Sequence, residues 1–314
     1  MSDETIFANL KNHLPLILRW TGTILALAIL VYLFRRTGWE EILTQVKQLS
    51  GWRIAACLIL IFISRLATWG RWHTLLVAQQ KIRWQDSLKL TFAGLFASNV
   101  LPTTIGGDVA RLAGAMRMGV DGALAAASLV ADRLVGMTGM ALAAPFALPA
   151  LLVYLGSKSQ SGVQPLLAAG ILGKIRNKVV QAIKGVFSNL RYWLRKPLVL
   201  LKALGFTFIH MLCTFLVVKI LIEGMGETLP FNLIAGIWSL TYFITLLPIS
   251  IAGLGVQEVT ITNLYSLLGG LNPTTTLSLA VILRGLQVIG SLPGVFFLSG
   301  VMEGERQSPE EKTE

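Results

Sequence analysis

Uncharged or nearly uncharged runs recur from one end of this chain to the other: Trp20 to Phe34, Ile54 to Ser64, Leu90 to Gly107, Gly122 to Ser157, Ala203 to Ile222 and Thr228 to Met302. A membrane span needs roughly 20 mostly apolar residues. Only 14% of the 314 residues are charged, against about 25% in a soluble domain. The bilayer must therefore serve as solvent, and the expected fold is an all-α polytopic membrane bundle of about seven or eight embedded segments. The first run has no small-residue cleavage pattern, so a cleaved signal peptide is not expected.

The formal net charge of +11 would suggest nucleic acid in a soluble protein, but these charges belong to a membrane protein and are unevenly placed. Between Gly156 and Lys202 stand Lys158, Lys174, Arg176, Lys178, Lys184, Arg191, Arg195, Lys196 and Lys202, with no Asp or Glu among them. The positive-inside rule makes this loop cytoplasmic. Ile171, Ile175, Val179, Ile183, Val186 and Leu190 recur at helical spacing within it, which predicts an amphipathic helix on the anionic lipid of the inner leaflet. No nucleic-acid module accompanies the charge. Cys57 and Cys213 both lie in apolar runs, so neither a disulfide framework nor a Cys/His metal site is expected.

One transmembrane domain, residues 1–302, is expected, followed by a polar disordered tail over 303–314. Within it a first repeat covers about 85–155, the basic loop 156–202 and a second repeat about 228–302. The division rests on two stretches that break the apolar pattern alike. Leu101-Pro102-Thr103-Thr104-Ile105-Gly106-Gly107-Asp108 leads to Arg111, and Leu247-Pro248-Ile249-Ser250-Ile251-Ala252-Gly253-Leu254-Gly255 leads to Gln257 and Glu258. Proline cannot continue the helical hydrogen-bond ladder, and glycine permits backbone angles that other residues avoid. Pro102, Gly106, Gly107, Pro248, Gly253 and Gly255 therefore predict re-entrant or broken helices. Irregular backbone at that depth persists only where protein or a water-filled cavity satisfies it.

The charges near these breaks are the candidate substrate-binding residues. Asp108, Arg111, Asp132 and Arg133 belong to the first half, Glu258 and Arg284 to the second, and Arg65 falls near the middle of the span from about Ile54 to Val77. A lone charge in hydrocarbon costs several kcal/mol, so these side chains must pair or face water. Asp108 and Arg111 share a helical face, whereas Asp132 and Arg133 diverge, so one of the latter must reach another helix. Arg65, Trp69 and Trp72 also share a face. Four cations against three carboxylates leave room for one anionic group such as a lipid phosphate. His73 and His210 read as packing or interface residues.

The ordered set resembles the flippase-like integral membrane family that includes the transmembrane half of lysylphosphatidylglycerol synthase. Its residues are Arg71-Trp72, Asn99-Val100-Leu101-Pro102 with Gly106-Gly107-Asp108 and Arg111, Asp132-Arg133, Pro248 with Gly253-Leu254-Gly255 and Glu258, and Arg284. The resemblance implies movement of a lipid between leaflets: an anionic or aminoacylated phospholipid, or a polyprenol-linked lipid. The soluble aminoacyl-transfer domain of the synthase is not expected here. The leading expectation is a transporter in the plasma or inner membrane rather than an enzyme. It needs no cofactor or metal, has membrane lipid as its substrate, and has a lipid synthase or glycosyltransferase as a candidate partner. Two alternatives stand beside it: a membrane-embedded lipid-phosphate or glycosyl transferase, and a non-catalytic partner of a glycosyltransferase. No G-x-x-x-x-G-K-[ST] loop provides for ATP hydrolysis.

Overall fold

The computed structural model describes residues 39–100, 106–159, 196–246 and 255–297, with a few isolated positions before residue 39. The expected first span, Pro102, Pro248, Gly253, most of the basic amphipathic loop and the polar tail lie outside the described residues.

Among those residues the chain is helical and carries no strand. A short amphipathic helix α1 (Trp39–Gln48) leads into the long α2 (Gly51–Val77). Next come α3 (Trp84–Val100), α4 (Gly106–Arg117) and α5 (Gly122–Ala143). Pro145 and Pro149 bracket the point where α5 gives way to a 3-10 turn over Ala144–Ala147 and then α6 (Leu148–Ser159), since proline removes a ladder hydrogen bond and crowds the preceding turn. The second half runs through α7 (Pro197–Gly224), α8 (Phe231–Thr245), α9 (Val256–Leu267) and α10 (Pro273–Ile289).

Among the described residues, four helical stretches are long and apolar enough to cross a membrane: Gly51–Val77, Gly122–Gly156, Pro197–Gly224 and Pro273–Phe297. Their outer faces are bare hydrocarbon: Ile59, Leu142, Val153, Leu198 and Leu201 are all exposed, an arrangement that water would penalise and lipid tails accept. Polar and charged groups lie inside. The protein is thus an all-α, polytopic membrane bundle.

The central pair is α2 beside α7, brought close by small residues. Gly70 seats the Phe206 ring and Gly224 seats Leu49, the small-residue contact by which membrane helices approach. The α3–α4 pair packs on α2 and α5, while α8 lies against the 3-10 turn and α9. Helices α4 and α9 have 12 residues each, about 18 Å of rise against a hydrocarbon core of about 30 Å. Neither is long enough to cross alone.

Candidate functional site

The approach of α3 to α4 decides where the first-half charges stand. A Cβ at Gly107 would collide with Ser98 Oγ and the Gly94 carbonyl, and one at Gly94 with the Arg111 side chain. Glycine at both positions lets the helices touch and leads Arg111 inward along Gly94. Arg111 is 6% exposed, and its guanidinium lies over the Trp72 ring at 4.5 Å. Trp72 is itself fixed by donating from Nε1 to Ser128 Oγ at 3.1 Å.

Asp132, 2% exposed, is the hub. Arg71 Nε donates to its Oδ1 at 2.6 Å and Arg71 Nη2 to its Oδ2 at 3.3 Å, a two-pronged pairing of planar groups. Arg111 Nη1 reaches the same Oδ2 at 3.5 Å and Asp108 Oδ1 at 3.4 Å. Asp108 is completed by Arg133, whose Nε donates to Oδ2 at 2.7 Å. Five charged side chains from α2, α4 and α5 thus form one chain of contacts. The divergence of Asp132 and Arg133 sends both to other helices. Gly136, one turn further along α5, leaves room for Arg71 Nη1, which a Cβ there would meet at 3.0 Å.

This network walls a cavity of about 160 Å3, lined by Arg65, Arg71, Asp108, Arg111, Asp132 and Arg133 together with Thr68, Ser98, Thr207 and others. Four guanidinium groups face two carboxylates there. Both carboxylates are already committed to arginines, whereas Arg111 Nε and Nη2 and Arg65 Nε are buried with no hydrogen-bond partner among the described residues. A buried donor left unpaired is costly, and these donors lie beside a chamber whose lining carries an excess of guanidinium groups.

A second cavity of about 230 Å3 adjoins it, lined from α2, α5, α7, α8, α9 and α10. Arg65, Met140, His210 and Tyr242 belong to both walls. Arg65 Nη2 points to the Gln287 carbonyl oxygen at 3.5 Å, and Gln257 Nε2 to Gln287 Oε1 at 3.4 Å.

The second-half charges form their own pair. Arg284 Nε meets Glu258 Oε1 at 2.5 Å, with Glu258 5% exposed; neither residue lines either cavity. Gly106 and Gly107 open α4. Gly255 is the N-cap of α9 with φ 76°, a left-handed conformation that a side chain would strain.

Two residues matter more than their sequence contexts suggest. Arg71, noted above only within a motif, is the main partner of Asp132; it stands six residues from the end of α2 and reads from sequence as a boundary arginine. His210, expected to be a packing residue, lies in the wall common to both cavities, with Nδ1 2.7 Å from Ser64 Oγ. The signal missed was the run Thr207, His210, Thr214, which sets polar groups at helical spacing along the otherwise apolar middle of α7, residues 203–218. Of the face shared by Arg65, Trp69 and Trp72, Trp69 turns to Ser87 Oγ, to which its Nε1 donates at 3.0 Å, and not to the cavities.

No curated protein matches the chain. The sequence model of the lysylphosphatidylglycerol synthase transmembrane region matches residues 19–294, a stretch that contains every charged residue of the two clusters, and the chain belongs to that family.

Proposed function

We propose that this protein is a lipid flippase of the plasma or inner membrane, carrying a lipid headgroup through the polar interior while the apolar tail stays in the bilayer. Membership in a family named for the membrane region of a lipid synthase gives it a membrane-lipid role. The observation that carries the transport reading is a chamber whose lining arginines outnumber its carboxylates, with an edge of Arg111 buried and unpaired beside it. A chain needing only a stable bundle gains nothing from such a group, because apolar residues of the same volume stabilise as well or better. A phosphate oxygen supplies the missing acceptor with charge-assisted geometry.

Two repeats frame the path in this reading. In each, a 12-residue helix follows a break, and the third residue of that helix pairs with the twelfth residue of the next long helix: Asp108 with Arg133, and Glu258 with Arg284. The partners stand 25 and 26 residues apart. We read α3–α4 and α8–α9 as the corresponding re-entrant or broken-helix units of such a repeat, the architecture in which transporters place binding sites between discontinuous helices.

The test is reconstitution. Vesicles containing the protein and a headgroup-labelled anionic phospholipid should expose inner-leaflet label to an external quencher well above the rate of protein-free vesicles. An Arg111→Gln variant that inserts and purifies normally should fall towards the protein-free rate. Equal rates with and without protein would remove the reading.

A further inference from the structure

Resting on the transport reading, we infer that the two adjoining cavities form one bipartite headgroup site, specific for a phosphate that bears an uncharged, polyhydroxylated group such as glycerol or a sugar. Each cavity alone, at about 160 and 230 Å3, falls below the range of about 300–1,000 Å3 usual for small-molecule sites, and together they enter it. Their common wall of Arg65, Met140, His210 and Tyr242 makes them consecutive compartments.

The compartments differ in chemistry. The first holds the excess of guanidinium groups and suits the phosphate. Among the described residues, the second has Arg65 as its one charged side chain and no carboxylate in its lining. Its other polar groups are neutral hydroxyls, amides and an imidazole. Thr214, Thr241 and Thr245 donate their hydroxyl protons back to helix carbonyls, at 2.8, 2.9 and 2.8 Å. What they present to the cavity is oxygen lone pairs, which accept from ligand O–H groups. Gln257 and Gln287 touch each other through one end of each amide, leaving Gln257 Oε1 to accept and Gln287 Nε2 to donate. Trp238, in the same wall, adds aromatic surface on which the C–H side of a polyol can pack.

A cationic headgroup fits neither compartment. Among the described residues, no uncommitted carboxylate in the linings is open to an ammonium, since Asp108 and Asp132 are paired with Arg71, Arg111 and Arg133. Glu258 pairs with Arg284 through Oε1 alone, its Oε2 being buried without a partner among those residues, and it lies outside both linings. An ammonium beside Arg65 would meet like charge at low dielectric.

Binding separates this inference from transport. Purified protein would be titrated, with native mass spectrometry as readout, against phosphatidylglycerol, phosphatidic acid and lysylphosphatidylglycerol of identical acyl chains. Polyprenyl phosphohexose and bare polyprenyl phosphate would be compared in the same way. At least one hydroxylated lipid should bind about tenfold or more tighter than its bare phosphate and than lysylphosphatidylglycerol, a threshold well below the roughly 10,000-fold by which a fully buried hydrogen-bonding site rejects a ligand lacking the hydroxyl. Whichever of glycerol or hexose gains more identifies the source. The Gln257→Leu/Gln287→Leu variant should lose that gain while binding the bare phosphate as wild type does, which also certifies its fold. Tighter binding of lysylphosphatidylglycerol, or equal binding of hydroxylated and bare lipids by wild type, would overturn the inference whether or not the protein flips lipid. Selective binding without flipping would overturn only the transport reading.

Discussion

Arg71 and Asp132 meet across 61 residues of chain, with Arg71 Nε 2.6 Å from Asp132 Oδ1, so the pair ties α2 to α5 inside the bundle. Removing Asp132 strands Arg71 as a buried charge, and removing Arg71 leaves Asp132, among the described residues, only the 3.5 Å contact with Arg111. Asp132→Ala or Arg71→Ala should each destabilise the protein by about 3–5 kcal/mol, seen as a large drop in the detergent unfolding midpoint. A loss under about 1 kcal/mol would mean that water already solvates the pair.

The second pair separates structure from transport. Replacing it whole, Glu258→Leu with Arg284→Met, should leave stability within about 1 kcal/mol of wild type or raise it, whereas Glu258→Ala alone costs about 3 kcal/mol or more. If the second repeat carries part of the path, the stable double variant still flips lipid at a small fraction of the wild-type rate. Full transport by that variant would confine the pair to a structural role.

The bundle class could be read in the sequence because apolar length and the cost of lone charges are local properties: Asp132 and Arg284 stand out against Leu, Ala and Val whatever their partners. The Asp108–Arg111 contact follows equally from spacing along one helix. Which charge meets which across helices does not, since it depends on how closely α3 and α4 approach through Gly94 and Gly107 and on how α2 is rotated against α5. Arg65, six residues earlier and nearer the middle of the span, therefore stands out in the sequence where Arg71 does not, although both line the same chamber. His210 looked isolated because its neighbours Ser64 and Thr68 come from another helix.

Close packing at Gly107 gives a prediction independent of charge. Gly107→Ala places a Cβ against Ser98 Oγ and the Gly94 carbonyl and must push α3 from α4, at a cost of about 1–3 kcal/mol. Pairing it with Ser98→Ala should recover part of that loss, because one of the two obstructions is gone. Thermal unfolding in detergent measures both, and an unchanged midpoint for Gly107→Ala would show that the helices sit further apart.

The Trp72 side chain does two jobs that substitution can divide. Trp72→Phe keeps an aromatic face under Arg111 but loses the bond to Ser128, at a cost of about 1 kcal/mol. Trp72→Leu also removes the cation–π contact, worth about 0.5–2 kcal/mol, together with most of the ring's packing. The Leu variant should lower lipid transport more than the Phe variant at matched stability, since only it frees the Arg111 guanidinium to shift. Identical transport rates would mean that Arg111 is held by its carboxylates alone.

The account stands or falls on whether a headgroup enters the arginine-lined chamber. A phospholipid with a photoreactive group on its headgroup, irradiated in vesicles during transport and mapped by peptide mass spectrometry, reports this directly. The crosslinks should fall on Arg65, Thr68, Ser98 and Thr207, and Arg111→Gln should suppress them. Crosslinks confined to outward-facing residues such as Phe62, Ile63 and Val130 would place the lipid on the outside of the bundle and contradict the account.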